Sequence, residues 1–439
     1  MTEAATEPTG VTEPIPPDTE AGRLPERRPG AAMEPTPEAP GKPGRVLFTG
    51  QSYYNSWYLS RALRELGWKA DVLDHDENPA SAHMYRGYDH RLTTGKGNRR
   101  EVRRHFAFYR WALRNYDLFH FSNAHGIYFS SLFHKWVADH FRPGAEIRLM
   151  KRFGKKIVYS SNGCLDGVAQ SSFASWGDRP ICLDCPWRER PDICSDERNL
   201  EWGRFRNSVA DYVVLIGGNQ IDYNAQPHCH EVPEFYCLDT RFWNPDLMVP
   251  SNYRLPIPES TVKIYHGVGN YESRTAAEST RNLKSTHVYL PVIDRLKERG
   301  LDVELIFFAG VPNTELRYYQ AQADIVVDML TFGMFGANVR EALMLGKPVV
   351  CYLRPEWMEQ MRREVPDYVD ELPIVNATPD TVEEVLSDLV RNPDKRREIG
   401  RRSREFAVKW HSPQAAALRF DAIYRNLLAD RPGSDDFRR

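Results

Sequence analysis

The chain has 439 residues, 41% of them hydrophobic and 27% charged, with 58 Lys and Arg against 60 Asp and Glu and a net charge of −2. That length exceeds one ordinary core and implies two large domains, while the near-neutral balance excludes a generic nucleic-acid binder. No apolar run reaches the roughly 18–20 residues of a membrane span and the N-terminus has no signal-peptide core, so the expected location is the cytoplasm.

Residues 1–44 hold ten of the 31 prolines, spaced by Glu, Thr, Ala and Gly with few large apolar side chains. Such a segment has too little to bury and reads as a disordered tail. Order begins at GRVLFTGQSYYNSWYLSRALRELGWKADVLDHD. Val46 to Thr49 is a buried strand and Gly50, Gln51 and Ser52 a turn. Trp57, Leu59, Ala62, Leu63 and Leu66 then recur at helical spacing, Gly67 stops the helix, and a second strand follows. Strand–helix–strand implies a parallel sheet, and the absence of G-x-G-x-x-G argues against a dinucleotide site. Lys96 to Arg114 is Arg-rich with interleaved Phe, Tyr and Trp. It reads as a basic amphipathic helix, either a solvated face over a core stripe or a contact for anionic lipid or glycan at the inner face of a membrane.

NYDLFHFSNAHG is a strand running into a loop with His120 and His125, and KKIVYSSNGCLDG and SVADYVVLIGGN are further strands. Between them CLDCPWRERPDIC sets Cys182, Cys185 and Cys194 in a Pro- and Arg-rich insertion, with Cys164 upstream. Cys-x2-Cys is half of a zinc site. The alternatives are unliganded thiols and a redox or iron–sulfur role. Cys164 is the expected fourth ligand of a structural Zn²⁺, with His228, Cys229 and His230 as rivals. The first domain spans 45–255, with its Cys-rich insertion at 164–194.

The pattern restarts after the linker VPSNYRLPIPEST. VKIYHGVGN is a strand with a glycine loop, STHVYLPVIDRLKERG a helix, DVELIFFAG and ADIVVDML strands, and a second domain covers 256–410. HSPQAAALRFDAIYRNLL closes the chain as a helix over 411–429, capped by Ser412 with Pro413 at its first position and expected to cross back to the first domain. In GMFGANVREALMLGKPVVCYL the glycines Gly333 and Gly336 lead through Phe335, Ala337 and Asn338 into a helix carrying one acid, Glu341. Glycines ahead of a helix N-terminus leave N–H groups free for a phosphate, and an acid one turn in is favoured by the helix dipole.

The order RNLKST, VIDRLKERG, VELIFFAG and YYQAQADIVVDMLTFGMFGANVREALMLGKPVV resembles the nucleotide-binding half of GT-B glycosyltransferases of the retaining, bacterial group 1 type. The resemblance is most specific over 281–352 and extends loosely over 45–428. It implies an α/β fold of two Rossmann-like domains facing a cleft, and an enzyme that moves a sugar from a nucleoside-diphosphate sugar to a hydroxyl of a glycan, glycolipid or small molecule. It assigns Glu341 to the donor ribose, Arg281 and Lys284 to the diphosphate, Gly333 to Asn338 to the phosphate-binding helix start, and Gly50, Gln51 and Ser52 to the acceptor side. A histidine near the acceptor is implied as catalytic; either His120 or His125 fits, and His125 lies beyond the strand. No catalytic metal is implied. Two positions depart from the family pattern: Gly333 stands where a first acid is usual, and Ser285 where glycine is usual. They keep a glycosyltransferase-like binding subunit open as an alternative, beside a sugar-nucleotide epimerase or a glycan phosphorylase.

Overall fold

A computed structural model describes residues 42–51, 53–74, 87–92, 99–122, 126–127, 144–161, 163–164, 166–177, 180–215, 219–276 and 280–429. Of the tail expected to be disordered over 1–44, residues 1–41 lie outside them, as do Ser52 and His125.

The described residues form two parallel sheets. The first orders its strands β3-β2-β1-β4-β5-β6-β7, where β1 is Arg45–Thr49, β2 Lys69–Asp74, β3 His90–Arg91, β4 Leu118–Ser122, β5 Lys156–Ser160, β6 Tyr212–Leu215 and β7 Cys229–Glu231. The second orders them β12-β11-β10-β8-β9, with β8 at Val262–Val268, β9 at Val303–Ala309, β10 at Ile325–Val327, β11 at Val349–Cys351 and β12 at Val375–Asn376. Among the described residues every neighbouring pair of strands runs parallel, for example Phe48 opposite Val72 on one side and His120 on the other. Both sheets are therefore covered on two faces, and their central strands are near-continuous apolar runs.

Alternation along the strands builds three layers of core. Val46, Phe48, Ala70, Val72 and Val158 join one cluster, while Leu47, Phe119, Phe121 and Ile157 join another on the opposite face. A third lies against the second sheet, around Ile264, Val292, Val327 and Leu386. The first cluster does not stop at the domain boundary: it continues through Tyr54 and Trp243 into Val339, Leu343 and Phe406. The last helix, Pro413–Leu428, leaves the second domain and packs on the first. Phe420 and Tyr424 sit beside Phe48 and His120, and Trp68 Nε1 donates to Asp421 at 2.6 Å. Ser412 accepts from Ala415 N and caps this helix, with Pro413 at its first turn. The Arg99–Asn115 helix buries Tyr109 and Ala112 and leaves Phe106 and Trp111 exposed. Among the described residues no helix is long and apolar enough to cross a membrane.

Candidate functional site

In an open parallel sheet, ligands gather beyond the carboxyl ends of the strands where the strand order reverses. The reversals here fall between β1 and β4 and between β8 and β10. Gly50 and Gln51 follow β1; Asp328 follows β10. From the segment after β1, Tyr54 reaches Glu341 of the second domain.

On the second domain, β10 leads through Asp328 and Gly333 into the Ala337–Met344 helix. Gly333 has φ 90, and a Cβ there would lie 2.6 Å from Arg354 Cβ and 2.7 Å from its Nε. Only glycine suits both the left-handed backbone and the space, which explains why no acid stands at this position. Arg354 itself is fully buried; its backbone N–H donates to Gly333 O at 2.8 Å and its Nη1 to Trp176 O at 2.8 Å, tying the glycine loop to the first domain's insertion. Gly336 is the residue before the helix, Phe335 is buried against Trp357, and Arg340 Nη1 donates back to Phe335 O at 3.0 Å. Ala337 opens the helix and is buried. Asn338 Oδ1 accepts from Gln320 Nε2 at 2.8 Å, while Asn338 Nδ2 is buried without a partner. Gly346, at φ 69, ends the helix in the left-handed conformation that glycine favours.

Glu341 is 5% exposed. It points neither to solvent nor to the helix surface. Tyr54, from the turn after β1, donates its hydroxyl to Glu341 Oε1 at 2.8 Å. Burial drives the Glu341 carboxyl up to about 7, against the opposing pull of hydrogen bonds from Tyr54, Gln320 and Asn313 and of the Lys284 charge. Lys284 donates to Asp328 Oδ1 at 2.5 Å; Asp328 is fully buried and its Oδ2 has no partner. Ser285 takes φ 62, where glycine would be at ease, and its hydroxyl accepts from Leu330 N at 2.9 Å, which offsets the strain with a bond glycine could not make. Arg281 Nε lies 3.2 Å from Oδ1 of Asp184, in the Cys-rich insertion. Asp184 is 5% exposed and also accepts from Thr331 Oγ1 at 3.1 Å, with His287 Nε2 at 3.6 Å.

On the first domain, Gly50 has φ 74 and donates its N–H to Leu73 O; Gln51 is buried and donates to Gly87 O at 3.1 Å. His120 is a correction. It is fully buried in β4, its Nδ1 2.6 Å from Tyr424 Oη and its Nε2 2.5 Å from Ser160 Oγ, among Phe48, Phe235 and Phe420. Burial lowers its imidazole to about 3. With both nitrogens taken and no surface, it is a core histidine and has no route to an acceptor hydroxyl.

Cys164, Cys182, Cys185 and Cys194 line one small cavity together with Leu283 and Phe332 of the second domain. All four are free thiols, and burial raises each. Among the described residues no three His, Cys, Asp or Glu side chains are arranged to hold a metal ion, so these four lie near one another without forming a coordination shell. Of the rival ligands, His230 stacks on Tyr212 at 4.7 Å and Cys229 is buried in β7. Tyr54, Asp184, Asp328 and Arg354 were not legible as site residues. The only local signal was position: Tyr54 directly follows the first turn, and Asp184 sits inside Cys-x2-Cys.

Residues 290–406 match the family model described as glycosyl transferases, group 1. The chain is similar in structure to a glycosyltransferase from Rickettsia africae, with a TM-score of 0.56 and 9% identity over 88% of this chain and 99% of the other. It is similar to a sucrose-phosphate synthase from Thermosynechococcus elongatus, with a TM-score of 0.53 and 14% identity over 88% and 99%. A third likeness is Anabaena HepE in complex with UDP-glucose, with a TM-score of 0.51 and 13% identity over 87% and 99%. No curated protein sequence matches the chain at significance. The fold is GT-B, and the family match covers 290–406 of the second domain, from within the helix after RNLKST to beyond GKPVV, leaving RNLKST itself outside it. The match supports glycosyl transfer as the activity.

Proposed function

We propose that the protein transfers a sugar, with retention, from a nucleoside-diphosphate sugar to an acceptor hydroxyl. The observation that carries this is Glu341: a buried carboxylate one turn into a helix that follows a glycine loop, held within electrostatic reach of Lys284. A carboxylate in that position takes hydrogen bonds from the ribose diol. The free N–H groups ahead of the helix, with Arg281 and Lys284, receive the diphosphate and offset the charge that develops as the sugar departs. Asn338 Nδ2 and Asp328 Oδ2 are buried without a partner, which leaves polar demand at two residues of this domain. The leaving phosphate oxygen accepts the acceptor's proton on the same face, so no carboxylate nucleophile is required at Gly333. The Gly50–Ser52 turn borders the acceptor side, with His125 beyond β4 as the remaining candidate histidine. Anabaena HepE binding UDP-glucose supports a nucleotide-sugar donor here.

The acceptor is a glycan, a glycolipid or a small molecule. A lipid-linked acceptor at an anionic membrane surface would meet the Arg99–Asn115 helix, which exposes Arg103, Arg104 and Arg110 beside Phe106 and Trp111. A second reading, a binding subunit without turnover, is favoured by one observation: glycine at 333, held there by Arg354. Donor turnover separates the two. Incubation with a panel of sugar nucleotides should release nucleoside diphosphate slowly, and Glu341→Ala should abolish the release. Nucleotide binding without release across donors and acceptors supports the second reading.

For the insertion we propose one structural Zn²⁺, drawn in by the thiols of Cys164, Cys182, Cys185 and Cys194. Thiolates suit zinc; burial raises the Cys185 thiol, the backbone N–H groups of Trp187 and Arg188 oppose that rise, and the ion would have to draw the four sulfurs into a tetrahedral shell they do not form on their own. Elemental analysis should find about one zinc per chain, lost in Cys182→Ser; metal-free protein of undiminished stability ends the proposal.

A further inference from the structure

Two donor anchors of the second domain, Glu341 and Arg281, are already engaged by the first domain, while Lys284 is held by Asp328 within its own domain. Glu341 accepts a hydrogen bond from the Tyr54 hydroxyl. Arg281 faces the Asp184 carboxylate. The chemistry of each partner matches the ligand group expected there: an O–H donor on the carboxylate, as a ribose hydroxyl would be, and an anionic oxygen on the guanidinium, as a phosphate would be. We propose that Tyr54 and Asp184 form an internal plug that imitates a nucleoside diphosphate and must leave before the donor binds. The proposal rests on the reading of Glu341 and Arg281 as donor anchors.

Burial is the first argument. Tyr54 is 1% exposed, Asp184 5% and Glu341 5%. Space filled to that degree does not admit a ribose beside the tyrosine. Charge is the second argument. The Arg281 side chain is 59% exposed but its Asp184 partner is only 5% exposed, so a diphosphate delivered to Arg281 would stand next to a buried carboxylate that repels it. The third argument is that each plug residue has its own mooring. Tyr54 packs on Trp243 with ring centroids 5.0 Å apart and on Tyr58 at 5.6 Å. Asp184 is tied by Thr331 and faced by His287. It also sits in the short 3₁₀ turn Cys182–Asp184, on a segment that reaches from the first domain to the second. The plug is thus a cross-domain contact, and releasing it parts the two domains at the two points where the donor would sit. Binding through a minor open state weakens the apparent affinity by the fraction of open molecules, so loosening the plug should strengthen binding.

Binding of UDP, GDP and ADP to the full chain, measured by calorimetry, tests this. For whichever nucleotide binds, Asp184→Asn and Tyr54→Phe should each lower Kd by about 5–10-fold, the tax of a mostly closed state. Arg281→Ala should raise it. Thr331→Val removes one tie on Asp184 and touches neither anchor; it should lower Kd by a smaller factor, and it serves if Asp184→Asn fails to fold. Hydrogen exchange over residues 180–194 should rise when the nucleotide is added. If Arg281→Ala weakens binding while Asp184→Asn, Tyr54→Phe and Thr331→Val leave it unchanged or weaken it, the plug is overturned and the donor reading stands. If no nucleotide binds, or Arg281→Ala changes nothing, the donor reading falls and the plug falls with it.

Discussion

Among the buried titratable groups, His120 in β4 and Glu341 in the Ala337–Met344 helix have surroundings that differ in kind. His120 is satisfied on both nitrogens, by Ser160 in the neighbouring strand and by Tyr424 in the helix that locks onto the first sheet. Burial keeps it neutral, and a neutral imidazole with both nitrogens engaged is a stable piece of core. Glu341 is also buried, yet burial lifts it only to about 7, and its tyrosine partner comes from the other domain. One group is held by its own core and the other across a boundary between two domains. Burial alone therefore does not mark function. What marks it is a group left near its titration point and satisfied by a neighbour that domain movement can remove.

Two substitutions sharpen that contrast. The larger effect on stability belongs to the histidine. His120→Ala leaves a cavity and strands two buried hydroxyls, and should cost about 4 kcal/mol in urea unfolding. Donor turnover per folded molecule should stay unchanged; a selective loss of kcat with normal stability would return His120 to the acceptor site. Glu341→Gln acts through pH. The unfolded carboxyl titrates near its ordinary value of 4.5 and the folded one near 7. Between these values the unfolded chain gives up its proton while the folded protein keeps it, so stability falls as pH rises through this window and levels off above it. The total fall is on the order of 3 kcal/mol. Glu341→Gln removes that slope, so wild type and variant should diverge between pH 5 and pH 8, with the variant the more stable at pH 8. Parallel stability curves would mean that Glu341 is solvated and has no role at the boundary. The same variant should bind nucleoside diphosphate more weakly, since an amide is a poorer acceptor for a ribose diol.

Much of the proposed donor side was legible from short stretches. The glycines at 333, 336 and 346, the acid at 341 and the Arg-x-x-Lys pair at 281 and 284 all carry local meaning: positive φ, a helix start, a helix end, a charge near a dipole. The departures from the family pattern were visible too, although their reasons were not. Arg354 explains Gly333, and Leu330 N explains Ser285. The first sheet was harder. Its short strands at His90–Arg91 and Cys229–Glu231 have no periodicity to read, and His120 looked like a strand-end residue until the last helix covered it.

By itself the sequence determined the two α/β units, their parallel strands and the glycine-led helix with its acid, because strand alternation, helical spacing and left-handed glycines are set within a few residues. Only the tertiary structure decided that Tyr54 meets Glu341 across 287 positions of chain, that Asp184 faces Arg281, and that His120 is core. Those partnerships depend on how two separately folded sheets dock and on where the final helix lands. No local pattern carries that information, since the contact energy is shared between segments that know nothing of each other until the chain has folded.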